Sequence, residues 1–219
     1  MNEKKNPVLT TKNVVLIGMF GALAAVLMYF QISVPFAPPF YKIDFSDVPG
    51  LIGGFAMGPI AGIFITLVKI LIKLLLQGTS TMYVGELGNF LGSVSFIIPA
   101  ALIYKHHKTK HTAYIALAVG VVVMVCWSII GNCFITLPFY GKVAFNGIEN
   151  IIAMGTKVNP RITNLMTFVI YAIVPFNFLK GIVVSIVTTL LYKRVRVIIR
   201  MAQPVGQKKQ GVVKNGTVL

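Results

Sequence analysis

Acidic residues are scarce in this chain: aspartate and glutamate together number five, against 20 lysines and arginines. Charged residues make up 11% of the 219 positions, whereas a soluble domain carries about 25%. Hydrophobic residues make up 56% of the chain, so little sequence remains for a separate soluble domain. Long apolar runs favour membrane helices. We therefore expect an all-α integral membrane protein with one membrane domain over residues 1–200.

Motifs of the common enzyme classes are also missing. No G-x-x-x-x-G-K-[ST] loop is present to hold ATP, and no H-E-x-x-H pair, paired carboxylates or nucleophile–base set can be found. Cys126 and Cys133 fall in one apolar run without histidine or carboxylate nearby, so packing is the better interpretation. We expect neither an enzyme nor a bound metal or cofactor.

Most of the basic residues cluster in segments that flank the apolar runs. The clusters lie at residues 4–12, 105–110 and 193–214. Such placement is typical of cytoplasmic loops that face anionic membrane lipid, and it does not favour nucleic-acid binding. All three segments are therefore predicted to lie on the inside.

The number of membrane helices follows from those charges. Five apolar runs would place the two termini on opposite sides, which contradicts the basic segments. The second run is broken at Gly58-Pro59, where a helix end followed by a helix start is favoured. Splitting it gives six transmembrane helices with both termini cytoplasmic, at about 13–33, 47–57, 59–76, 85–104, 113–139 and 163–200. Residues 34–46, 77–84 and 138–162 become outer loops, and 201–219 is predicted to be a disordered cytoplasmic tail.

A lysine near the middle of the last apolar run is the most informative residue. An ammonium at such depth costs about 2.5–3.5 kcal/mol even on translocon-insertion scales, so Lys180 is expected to face a partner, a cavity or a ligand. Asn177 lies three residues earlier, on the same helical face. Asn132, Glu86 and Asn89 fall at similar depths, although a helix-dipole role for Glu86 and an interhelical hydrogen bond for Asn132 are the alternatives. A polar pocket inside the membrane is predicted.

Other polar residues near the outer side have simpler interpretations. Asp47 precedes Val-Pro and is predicted to cap the short second helix. Asp44 has no such role and is a candidate for ligand contact or loop ordering. Lys69 and Lys73 are expected to snorkel to the membrane surface. Trp127 is expected to pack or anchor rather than stack on a ligand.

The first helix carries two pairs of small residues four positions apart. Gly18 with Ala22, and Gly21 with Ala25, would each let another helix approach closely. Contact within the chain and docking of a partner subunit are both open.

Several motifs together resemble one transporter family. They are Val15–Ala22, the proline-rich loop leading into Lys42-Ile-Asp44-Phe-Ser-Asp47-Val-Pro49, Gly58-Pro59-Ile-Ala-Gly62, Gly85-Glu-Leu-Gly-Asn-Phe90 and Pro175-Phe-Asn177-Phe-Leu-Lys180-Gly181. Over about residues 12–200 the chain resembles the substrate-binding (S) components of energy-coupling factor (ECF) vitamin transporters, and within them the riboflavin-specific ones.

The resemblance implies a function in the bacterial cell membrane. The vitamin would bind from outside beneath the first outer loop, and a transmembrane coupling subunit with two ABC ATPases would drive its delivery inward. Asn132, Asn177 and Lys180 would hydrogen-bond the polar edge of the flavin, while Tyr41 and apolar side chains would cover the rest. The first-helix pairs would dock the partner.

Two alternatives remain at this stage. One keeps the S-component fold and changes the vitamin. The other is a stand-alone ion-coupled transporter that uses Lys180 with Glu86, although the scarcity of membrane carboxylates counts against it.

Overall fold

The structure, a computed structural model, describes residues 10–79, 82–144 and 146–202. Helices dominate these residues, as predicted. In chain order the elements are α1 (Thr11–Tyr29), β1 (Ile32–Ser33), β2 (Lys42–Ile43), α2 (Asp47–Met57), α3 (Pro59–Gln77), α4 (Val84–His106), α5 (Lys110–Gly131), the π-helical segment π1 (Asn132–Thr136), α6 (Leu137–Ala144), α7 (Ile148–Val158), α8 (Leu165–Phe168), the π-helical segment π2 (Val169–Ile173) and α9 (Val174–Ala202).

Among the described residues, five helical segments are long and apolar enough to cross a membrane. They are α1, α3, α4, the continuous segment Lys110–Val143 and the segment Leu165–Leu191. Large apolar side chains such as Met19, Val122 and Leu190 point away from the protein on these segments. Exposed apolar area of this extent would be a liability in water and is suited to lipid. The predicted membrane class is therefore confirmed.

α2 differs from these five segments in two ways: it is short, and it is buried inside the protein. Its 11 residues span about 16 Å, and all of them except Met57 are buried. Glycines permit this burial: a Cβ at Gly54 would lie 3.2 Å from Cβ of Ala101, and one at Gly53 would overlap Ile65. α2 thus packs closely against α3 and α4, and Gly58, with φ +105°, forms the break before α3.

The two π-helical segments occupy equivalent positions relative to proline. π1 ends two residues before Pro138, and π2 ends two residues before Pro175. A proline ring clashes with the carbonyl four residues earlier, which falls inside the π segment in both cases. The wider turn relieves that clash, so each proline accounts for a local change of helical register.

The predicted loops contain more structure than expected. Residues 34–41 are closed by an antiparallel pairing of Ile32 with Ile43 and Ser33 with Lys42. Within 138–162, predicted as a loop, α6 continues to Ala144 and α7 follows. α7 forms because it can bury one face, with Ile151 and Gly155 inside and Gly155 against Phe168. From residue 203, the predicted disordered tail lies outside the described residues.

Candidate substrate-binding cavity

Side chains from the first loop and three helical segments surround a cavity of about 170 Å³. Five of the seven predicted ligand-contact residues line it: Tyr41, Asn89, Asn132, Asn177 and Lys180. The remaining lining comes from the same segments and includes the aromatic residues Phe40, Trp127, Tyr140 and Phe176. The structure therefore gathers residues that are far apart in sequence around one space.

Tyr41 and Asn132 join the first loop to the π1 segment. The Tyr41 hydroxyl donates to Oδ1 of Asn132 at 3.3 Å, and Nδ2 of Asn132 donates to the Ser128 carbonyl at 2.8 Å. Burial, and then the neighbouring Tyr140, raise the pKa of the Tyr41 phenol above its ordinary value, so the phenol is protonated and can donate. The ring centroid of Tyr41 lies 4.9 Å from that of Phe176. The loop is thus held over the cavity by a polar and an aromatic contact.

Two amide oxygens in the cavity accept no hydrogen bond from the residues that the structure describes. Asn177 uses Nδ2 to donate to the Ile173 carbonyl at 2.9 Å, and this bond leaves Oδ1 without a described donor. Oδ1 of Asn89 is buried and also lacks a donor. Buried acceptors are nearly always satisfied in folded proteins, so Oδ1 of Asn89 is suited to a ligand that donates hydrogen bonds. Oδ1 of Asn177, a residue that lines the cavity, can accept from the same ligand.

Lys180 is the cationic donor of the cavity. Its Nζ lies 2.9 Å from Oδ2 of Asp47, and 9% of its side chain is exposed, against 0% for Asp47. This contact is an ion pair. An ammonium has three N–H donors, so Lys180 keeps donors for a ligand at the cavity wall.

Two predicted contact residues do not line the cavity. Asp44 is buried, and its Oδ1 accepts from the Ser46 amide at 2.8 Å, which fits the loop-ordering alternative. Glu86 is buried and pairs with Lys73, and it also accepts from Thr79 Oγ1 at 3.0 Å. Both side chains therefore bind other parts of the protein.

Two predictions about charged residues are wrong. Asp47 does not cap α2: Ser46 precedes the helix without a side-chain cap, and the Asp47 carboxylate instead contacts Lys69 at 2.8 Å. Lys69 does not snorkel, because it is 1% exposed. Asp47 and Lys69 are thus buried charges that stabilise each other across two helices, which local sequence does not reveal. Lys73 is partly exposed, pairs with Glu86 and donates to the Gly78 carbonyl at the end of α3.

The small-residue pairs of α1 have different surroundings. Gly21 and Ala25 are buried, and a Cβ at Gly21 would overlap Val68 of α3. Gly18 and Ala22 are exposed, and nothing lies within 4 Å of a Cβ built at Gly18. Gly21 and Ala25 therefore pack against another helix of the same chain, whereas Gly18 and Ala22 lie on the exposed surface of α1.

Comparison with known proteins identifies the family. Residues 12–192 match the model described as "ECF transporter, substrate-specific component". The riboflavin transporter RibU of Staphylococcus aureus is 39% identical over 183 residues, which cover 84% of this chain and 89% of that protein. The riboflavin transporter FmnP of Bacillus subtilis is 30% identical over 84% of this chain and 92% of its own length.

A solved structure gives the same result for the fold. It is described as "Structure and mechanism of the S component of a bacterial ECF transporter", with a TM-score of 0.67 and 34% identity over 86% of this chain and 98% of that chain. The chain is thus a multi-pass bacterial membrane protein and a transport subunit rather than an enzyme, and it belongs to the family of substrate-specific components of ECF transporters.

Proposed function

We propose that this chain captures riboflavin from outside the cell and delivers it inward together with a coupling subunit and two ABC ATPases. The observation that carries the proposal is the cavity lined by Tyr41, Asn89, Asn132, Asn177 and Lys180. The names of the similar riboflavin transporters supply the choice of vitamin.

The chemistry of the lining suits a flavin. An isoalloxazine ring is uncharged, with carbonyls and ring nitrogens along one edge and apolar area elsewhere. The amides of Asn89 and Asn177 and the ammonium of Lys180 match the polar edge, and Tyr41 and Phe176 match the ring faces. Asp44 and Glu86 are left out of the proposed contact set, because neither lines the cavity.

The size of the cavity adds one requirement. Typical ligand pockets measure about 300–1,000 Å³, whereas this one measures about 170 Å³. A flavin must therefore displace part of the lining when it binds. Tyr41 belongs to the first loop and holds the wall through one 3.3 Å hydrogen bond and ring contacts, so it can be displaced without unpairing a charge.

The orientation is part of the proposal. Six helices cross the membrane, with α2 completed by its flanking residues and its neighbours, and both termini are cytoplasmic. This arrangement keeps the basic segment at 105–110 inside and the first loop outside. The exposed Gly18–Ala22 face of α1 is then the docking surface for the coupling subunit.

The ion-coupled alternative gains no support from its two named residues. Lys180 pairs with Asp47, and Glu86 pairs with Lys73, so the two do not form the pair that this mechanism would use.

The direct test is binding by the purified chain. We expect protein in mild detergent to quench riboflavin fluorescence saturably at about one vitamin per chain, with biotin failing to compete. Lys180→Ala should weaken binding by about tenfold or more, because it removes a buried charged donor, while Lys157→Ala on the exposed face of α7 serves as the control. A folded protein that ignores riboflavin would contradict the choice of vitamin, and other vitamins would then be titrated.

A further inference from the structure

Asp47 lies between two lysines, one of which, Lys180, lines the cavity. Its Oδ2 contacts Nζ of Lys180 at 2.9 Å, while Oδ1 accepts from Nζ of Lys69 at 2.8 Å and from the Ser93 hydroxyl at 2.5 Å. Lys69 also donates to the Ser46 hydroxyl at 3.1 Å. Each carboxylate oxygen therefore serves a different lysine, and the contacts join α2, α3, α4 and α9.

The two lysines differ in their access to the cavity. Lys180 lines it, whereas Lys69 does not and has only 1% of its side chain exposed. Lys69 can therefore act on a ligand only through Asp47. Asp44 is also buried and interacts electrostatically with Lys180. With Asp44, the group comprises two carboxylates and two ammoniums and is neutral when all four are ionised.

The two oxygens of Asp47 are shared between Lys69 and Lys180, and this sharing determines where the Lys180 ammonium can lie. A carboxylate can offer both oxygens to one cation. Here Lys69 and Ser93 hold Oδ1 of Asp47, so Lys180 has Oδ2 alone and keeps donors for the cavity. Without Lys69, both oxygens would compete with a ligand for Lys180. Without Asp47, the Lys180 ammonium would lose the carboxylate that it contacts, and the buried carboxylate of Asp44 would be its remaining counter-charge.

We propose that Asp47 and Lys69 are positioning residues that hold the Lys180 ammonium at the cavity wall with its free donors directed to the ligand. This inference rests on the proposed function, because the ligand that reports on Lys180 is riboflavin. Asp47 acts directly on Lys180, and Lys69 acts by occupying the other oxygen of Asp47.

The test compares single and paired substitutions for stability and for affinity. Asp47→Asn and Lys69→Met should each lower the melting temperature and weaken riboflavin binding by about tenfold or more. The combined variant removes one carboxylate and one ammonium, so the buried group stays neutral and the melting temperature should return toward that of the wild type. Its affinity should stay low, because Lys180 still lacks its carboxylate oxygen. If affinity recovered together with stability, Asp47 and Lys69 would be structural only.

A second comparison asks whether the effect passes through Lys180. In the Lys180→Met background, the combined Asp47 and Lys69 substitutions should weaken binding no further, which is the non-additivity expected of side chains in contact. Lys73→Met is the matched control, since Lys73 lies one turn from Lys69 on α3 and pairs with Glu86. Its effect on affinity should be the same in both backgrounds.

The outcomes separate the two proposals. A wild-type chain that does not bind riboflavin would overturn the proposed function, and the inference with it. A wild type that binds tightly, together with a combined variant of unchanged affinity, would overturn the positioning role alone. If the single variants fail to fold, the combined variant, in which the buried group stays neutral, is used alone for both comparisons.

Discussion

Asn177 shows how one side chain serves both the helix and the cavity. Its Nδ2 bonds the Ile173 carbonyl at the end of π2, so its amide plane is fixed by the backbone one turn earlier. That bond orients Oδ1 as an acceptor without a described donor in the cavity lining. A ligand donor placed there would meet an acceptor that needs no reorientation.

Replacing Asn177 should therefore affect binding more than folding. We expect Asn177→Ala to weaken riboflavin binding by about tenfold or more, because a hydrogen-bonding site loses its acceptor. Fluorescence titration of the purified variant measures this loss. Asn150→Ala, an exposed asparagine of α7, is the matched control and should bind as the wild type does. A folded Asn177→Ala protein with unchanged affinity would remove Asn177 from the contact set.

Sequence reasoning located cavity-lining residues where a residue was anomalous in its own surroundings; contact of these residues with a ligand stays a prediction. Lys180 could be identified because a charge deep in an apolar run requires an explanation, and Asn177 because it shares that face. Asp47 and Lys69 were misassigned because each had a sufficient local explanation, a helix cap and a snorkelling lysine. Their actual partners lie on other helices, and nothing in a local pattern specifies which helices meet.

Some helix boundaries could be predicted from the sequence, whereas the π-helical segments and α7 were not predicted. Gly58-Pro59 correctly divided α2 from α3, because both residues act on the backbone locally. Pro138 and Pro175 lie at helical stretches where a proline could have indicated the π segments. The presence of a proline does not specify, however, whether a helix bends, ends or widens. α7 was missed because its buried face depends on Phe168, which is supplied by another element.

The first helix offers a test in which the same substitution is made at two neighbouring positions. Gly18→Leu should leave the stability and riboflavin affinity of the isolated chain unchanged, because Gly18 is exposed and a Cβ there meets no neighbour within 4 Å. It should reduce co-purification with the coupling subunit, because close helix approach would be lost. Gly21→Leu should instead destabilise the isolated chain by about 1–3 kcal/mol, since a side chain there overlaps Val68.

Thermal melts and pull-down yields separate these outcomes. A Gly18→Leu chain that assembles normally would show that this face of α1 is not the docking surface, whatever happens at Gly21.

At the scale of the whole molecule, the number of membrane crossings must place the basic segments on the inner side of the membrane. Five segments among the described residues are long enough to span, and α2 alone is too short at about 16 Å for a hydrocarbon core of about 30 Å. If α2 did not carry the chain across, the start of α1 and the α4–α5 loop would lie on opposite sides. The basic residues at both places argue that they share the inner side.

Single cysteines can decide between these arrangements. In a chain whose Cys126 and Cys133 are replaced by alanine, Lys12→Cys, His107→Cys and Lys157→Cys each place a thiol at an exposed position. We expect a membrane-impermeant maleimide to label only the Lys157→Cys chain in intact cells, and all three after permeabilisation. Opposite behaviour of the Lys12→Cys and His107→Cys chains would show that α2 does not complete a crossing. Equal labelling of the His107→Cys and Lys157→Cys chains in intact cells would contradict a crossing by the Lys110–Val143 segment, which is the only candidate span between them in the described part of the chain.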